Sequence, residues 1–87
     1  MGALSNLRTR AIISNIRKMR EYRNYTQDYL AAKLKISQNA YSKIELGYSK
    51  ITLNRFIEIA EILEVELIDL ISNRGIESFQ LKISSNP

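Results

Sequence analysis

The sequence predicts an all-α fold, a compact bundle of five short helices followed by a short C-terminal tail. Two observations lead there. Apolar residues recur at helical spacing from Ile12 to Ile71, and the capping residues Thr26, Ser37 and Thr52 each stand ahead of one of those periodic runs. Gly occurs three times and Pro once, at the last position, so punctuation is sparse and periodicity carries most of the reading.

Ile12, Ile16 and Met19 recur at i, i+4 and i+7, with Arg17, Lys18, Arg20 and Arg23 on other faces, which predicts a first helix over roughly 9–22. Asn24 ends it, because Asn tolerates the left-handed conformation that closes many helices. After Thr26 the stretch QDYLAAKL puts Leu30, Ala31 and Leu34 on one stripe, with Asp28 near the positive end of a second helix. Ser37 caps a third, 38–46, in which Tyr41 and Ile44 point inward and Gly47 closes the end. Thr52 caps a fourth, TLNRFIEIAEILEV, whose Leu53, Phe56, Ile59 with Ala60, and Leu63 form the most complete apolar stripe. A fifth turn at 67–71 offers Leu67, Leu70 and Ile71 to the same core. Beyond Arg74-Gly75 the period changes: Phe79, Leu81 and Ile83 alternate with Ser78, Gln80, Lys82 and Ser84, which reads as a half-buried strand. The expected organisation is an N-terminal extension over 1–8, one domain over 9–73 and a tail over 74–87.

At 87 residues the chain allows one small domain, and such a domain hides only about 60 to 65% of the surface its unfolded chain exposes. Association with a second copy is therefore a natural way to complete the core. There is no Cys and no His, so disulfides, thiolate nucleophiles, imidazole bases and most transition-metal sites are absent, and neither a metal nor a cofactor is expected. No catalytic constellation stands out, and an enzyme is not expected. The net charge of +4 conceals a stronger asymmetry. Residues 1–50 carry ten Lys or Arg against three acids, whereas residues 51–87 carry three against six. The basic half is where a polyanion would sit, and nucleic acid is the first suspect. No apolar run approaches the roughly 20 residues of a membrane span. Gly2 stands as in a myristoylation site, but that motif wants Ser or Thr where Asn6 stands. A cytoplasmic protein without a membrane partner is expected.

Two short helices joined by a tight turn, inside a basic half and braced by other helices, are the parts of a DNA-reading helix-turn-helix. Four blocks carry the likeness: IRKMR at 16–20, YTQDYLAAKL at 25–34, ISQNAYSKIELG at 36–47 and TLNRFIEIAEILEV at 52–65. With them the stretch from Ile12 to Leu70 resembles the phage-repressor helix-turn-helix family, Cro- and cI-like, also called the xenobiotic-response-element (XRE) family. The resemblance implies a lambda-repressor-like bundle whose third helix enters the major groove of double-stranded DNA. Ser37, Gln38, Asn39, Ser42 and Lys43 are the candidate base contacts, since Gln and Asn amides can bond adenine bidentately and Lys can reach guanine. By resemblance, Gln27 would hold a phosphate and brace Gln38. Tyr48, Lys50 and Asn54 would grip the backbone further along, and Thr26 is a phosphate candidate at the start of the second helix. Arg20 and Glu45 occupy positions that in this family form an ion pair. The family favours Gly where this chain has Asn24, Lys35 and Glu64. A non-Gly residue in left-handed geometry costs about 1 kcal/mol, which favours a slight reshaping of those turns.

The implied function is a sequence-specific transcriptional regulator of repressor or controller type, acting as a homodimer on a palindromic operator. The alternatives are an antitoxin whose tail neutralises a toxin, and a bridging, coactivator-like protein that keeps the fold without reading DNA. Ile76, Phe79, Leu81 and Ile83 are the candidate dimer contacts, through antiparallel pairing of the expected strand with that of a second copy.

Overall fold

The computed structural model of the protein describes residues 3–72 and 76–85. Six helices follow one another: α1 (Ala3–Tyr22), α2 (Gln27–Leu34), α3 (Gln38–Glu45), α4 (Leu53–Leu63), α5 (Leu67–Ile71) and α6 (Ile76–Ser85). There is no strand among the described residues. The closest packing of elements is α2 on α3, while α1 reaches α3, α4, α5 and α6 and acts as the spine.

Three caps set the starts of α2, α3 and α4. The hydroxyl oxygens of Thr26, Ser37 and Thr52 accept from the backbone N–H groups of Tyr29, Ala40 and Arg55 at 3.0, 3.0 and 3.1 Å. Each satisfies a donor that the first turn of a helix leaves without a partner. The ends share one device. Asn24, Lys35, Gly47 and Glu64 have φ between 59° and 80°, and each donates its N–H to the carbonyl three residues back. The next residue in each case, Tyr25, Ile36, Tyr48 or Val65, donates to the carbonyl five residues back, which is the Schellman arrangement. The three non-Gly turns therefore keep left-handed geometry without reshaping, because two hydrogen bonds and, at Tyr25, Ile36 and Val65, a partly buried apolar side chain offset the strain.

Ile16, Met19, Leu30, Ala31, Leu34, Tyr41, Ile44, Ile59, Ala60, Leu63, Leu70 and Phe79 form one buried cluster. Leu53 and Ile71, read as core, are exposed: Leu53 opens α4 and Ile71 closes α5, where the bundle no longer covers them. Two buried polar residues tie the ends of the chain together. Asn15 Nδ2 donates to the carbonyls of Leu70 (2.8 Å) and Ser72 (3.1 Å), fastening α1 to the end of α5. Asp69 accepts from the Glu66 N–H in a reciprocal capping box, and its Oδ1 forms an ion pair with Lys82 Nζ at 2.9 Å.

Two further expectations are corrected. The first helix starts at Ala3, so residues 3–8 continue α1 rather than preceding it. The strand expected from Phe79, Leu81 and Ile83 is a helix, α6, folded back on its own domain. Phe79 is 7% exposed, lies edge-on to the Tyr22 ring at 5.7 Å, and sits under the Arg23 guanidinium at 5.1 Å. Arg23 also donates to the carbonyls of Leu63 and Glu64, so one side chain clasps the end of α4 and α6 together. Strand pairing through Ile76, Phe79, Leu81 and Ile83 is thereby excluded as written: Phe79 is used within its own domain, Leu81 and Ile83 are exposed, and the Ile76 side chain lies outside the described residues.

Candidate nucleic-acid interface

The α2–turn–α3 unit follows from small local choices. Ala31, 1% exposed, has no side chain beyond Cβ, so α3 can approach α2 closely. Three residues, Lys35 to Ser37, make the turn: one is left-handed, one packs inward and one caps α3. Buried Tyr41 and Ile44 then fix the rotation of α3 about its axis. That leaves Gln38, Asn39 and Lys43 exposed and Ser42 half-buried. Ser37 is exposed, and its oxygen already accepts from the Ala40 N–H, which leaves its hydroxyl proton and one lone pair for a further partner.

The backbone-contact candidates fall into four places. Thr26 is exposed at the start of α2, and beside it half-buried Gln27 donates its amide to Glu45 Oε1 at 3.1 Å, so this proton is directed at the ion-pair cluster rather than at Gln38. Tyr48, 77% exposed, lines a groove of about 550 Å³ with Leu46 and, from α1, Arg10 and Arg17. Lys50 lines a separate cleft of about 250 Å³ between α3 and α4. Asn54 is exposed as the second residue of α4. Tyr48 and Lys50, read together as one grip, thus face different concavities.

Glu45 anchors this surface from behind. Arg20 donates Nε to Glu45 Oε2 at 2.7 Å and Nη2 to Oε1 at 3.0 Å, a bidentate pair whose side chains are 12% and 4% exposed. Arg20 Nη1 reaches the Tyr25 carbonyl at 2.9 Å, and the Tyr41 hydroxyl donates to Glu45 Oε2 at 2.6 Å. One carboxylate thereby joins α1, α2 and α3, and Arg20 adds the α1–α2 turn. Burial pushes the Glu45 carboxyl up, but the hydrogen bonds from Arg20, Tyr41 and Gln27 outweigh it and hold the group below the usual carboxylate range. Burial, followed by the hydrogen bond to Glu45, pushes the Tyr41 phenol well up, so it remains a donor. The hydrogen bond to Glu45 likewise raises Arg20.

Arg55, which shares the Lys50 cleft, and Arg10 and Arg17, which share the Tyr48 groove, are not among the candidates that the sequence offers. The basic excess of residues 1–50 contained the signal for Arg10 and Arg17 without assigning it to a surface. Among the described residues no group of His, Cys, Asp or Glu could hold a metal ion, and no helix is long and apolar enough to cross a membrane.

A family model described as helix-turn-helix matches residues 16–70, more than half of the chain. No curated protein and no solved structure matches the chain. The matched segment runs from Ile16 in α1 to Leu70 in α5 and includes the whole α2–turn–α3 unit with its exposed amides. The chain therefore belongs to the helix-turn-helix family, and within it to the DNA-binding regulators of the XRE type.

Proposed function

We propose that the protein is a sequence-specific transcriptional regulator, of repressor or controller type, that reads the major groove with α3 as a homodimer on a palindromic operator. The observation that supports this reading best is the division of α3. Tyr41 and Ile44 are locked inside, while Gln38, Asn39 and Lys43 stand in the open on a helix whose position is braced by the Glu45 cluster. Side chains that can bond adenine N6/N7 or guanine O6/N7 are thus held on a rigid element. Ser37 is a further base contact and Ser42 the reserve one, and Thr26, Gln27, Tyr48, Lys50 and Asn54 are the proposed backbone contacts. Replacing Gln38 or Asn39 by Ala is expected to cost about 1 to 3 kcal/mol in operator binding and to relax preference at particular base pairs. Equal weakening on every sequence would reassign both to the backbone.

Leu81 and Ile83, exposed on α6, are the dimer candidates that survive the correction of the tail. The same apolar pair favours a second reading, an antitoxin that offers this helix to a toxin-like partner. The oligomeric state of the purified chain separates the two. A dimer that Leu81→Asp dissociates supports the first, and a monomer at micromolar concentration supports the second.

A further inference from the structure

We propose that the cleft between α2 and the end of α4 docks an arginine side chain of a partner protein, with the guanidinium stacked on Tyr29 and paired with Glu61 and Glu64. None of the residues lining this cleft is a candidate DNA contact, so the site stands apart from α3.

The cleft holds about 320 Å³, near the lower limit of roughly 300 Å³ for small-molecule sites, which suits one long side chain better than a metabolite. Its wall is aromatic. The rings of Tyr25 and Tyr29 lie 4.5 Å apart between centroids and are tilted by 38°. Tyr25 packs against the core and its hydroxyl donates to Glu64 Oε1 at 3.3 Å, whereas Tyr29 is 39% exposed. Glu61 and Glu64 add two carboxylates from the last turn of α4 and its cap. The negative end of the helix lies at the same place, and the last turn of α4 has no basic residue to balance it. Arg23 takes up the carbonyls of Leu63 and Glu64 but does not line the cleft. In a chain of net charge +4, an acidic site with an aromatic wall is suited to a cation brought by another molecule.

Lys33 shows the preference and leaves it half met. Its Nζ lies 5.5 Å from the Tyr29 centroid, a cation over a ring face, yet exposed Lys33 forms no ion pair among the described residues. An arginine does both at once. Its planar guanidinium stacks on a ring, is less strongly hydrated than an ammonium, and presents a fork of N–H donors that matches a carboxylate. Ile62, half-buried in the cleft, gives the aliphatic stem an apolar surface. Tyr29, Lys33, Glu61 and Glu64 are all exposed, so the cleft admits a side chain still attached to a folded partner. The incoming arginine displaces Lys33, which tempers its affinity.

The experiment titrates the full chain with an acetylated, amidated peptide, Ala-Ala-Arg-Ala-Ala, and follows the ring protons of Tyr25 and Tyr29 by NMR, with variants checked by melting. Saturable shifts at both rings are expected, and weaker binding of the lysine and citrulline peptides and of free arginine, whose carboxylate Glu61 and Glu64 repel. Tyr29→Leu and Glu61→Gln should each weaken the arginine peptide roughly two- to five-fold, the scale of one exposed cation–π contact or ion pair, and Lys33→Met should tighten it by a similar factor. Glu77→Gln, which removes an equal charge on α6, should leave binding unchanged and controls for net charge. Equal binding of the citrulline peptide, an effect of Glu77→Gln as large as that of Glu61→Gln, or weaker binding by Lys33→Met overturns the proposal. Free arginine that binds as tightly as the peptide would make the occupant a small molecule. Ring shifts that grow with protein concentration alone and vanish when Arg8 and Arg10 are replaced by Gln would make it a second copy of the chain. Either result overturns the assignment to a partner protein.

Discussion

Glu45 accepts four hydrogen bonds, two from Arg20 and one each from Gln27 and Tyr41, on a carboxylate almost wholly removed from water. Removing it strands a partly buried guanidinium, and breaking such a pair typically costs about 3 to 5 kcal/mol. Glu45→Ala should therefore lower the melting temperature by more than about 10 °C, at the 4 to 8 °C per kcal/mol of a domain this size. A shift of roughly 2 °C would mean that the cluster contributes little. The pH dependence has a definite sign. The folded carboxyl lies below its usual value, so its contribution is fully present above about pH 4.3 and is lost as pH falls through the folded value. Glu45→Gln should flatten that acid limb in a pH series of thermal melts. Gln27 shows what sequence could and could not tell at this scale. Its place at the start of α2 was legible, but the direction of its amide depends on a carboxylate 18 residues away. Asn15, with partners 55 and 57 residues distant, left no local signal at all.

Among the elements, α2 to α5 were legible because each has a local start signal or a stripe of one period, and for α2, α3 and α4 the same Thr or Ser that marks the start makes the cap bond. The tail was ambiguous for a physical reason. Phe79, Leu81 and Ile83 alternate as in a strand, yet Ile76, Phe79 and Ile83 also stand at i, i+3 and i+7. Tertiary contacts decide: Tyr22 and Arg23 receive Phe79, and Asp69 receives Lys82. Phe79→Ala should then destabilise the domain by about 3 kcal/mol, whereas Leu81→Ala, at a site 53% exposed, should change chemical denaturation of the unassociated chain little. Equal effects would contradict the helical packing. The left-handed turns give a prediction of opposite sign. Lys35 is exposed with φ 60°, so Lys35→Gly should raise stability by up to about 1 kcal/mol. The gain is limited because Gly also has more freedom to lose from the unfolded chain. A lower melting temperature would show that the turn is not strained.

At the scale of the whole molecule, charge and fold point the same way. The excess of ten basic over three acidic residues in the first 50 falls on the half that contains α1, α2 and α3, and the acidic balance falls on α4 to α6. The proposed reading surface on α3 belongs to the cationic half, so under that proposal long-range attraction and base recognition act on the same partner. Whether α3 reads DNA sequence is decided by selection of bound duplexes from a random pool. The expected outcome is enrichment of a palindromic consensus with half-sites about 10 base pairs apart, centre to centre, and loss of defined positions from that consensus when Gln38 and Asn39 are replaced by Ala. No enrichment over the starting pool, or the same consensus from the doubly substituted chain, would contradict it.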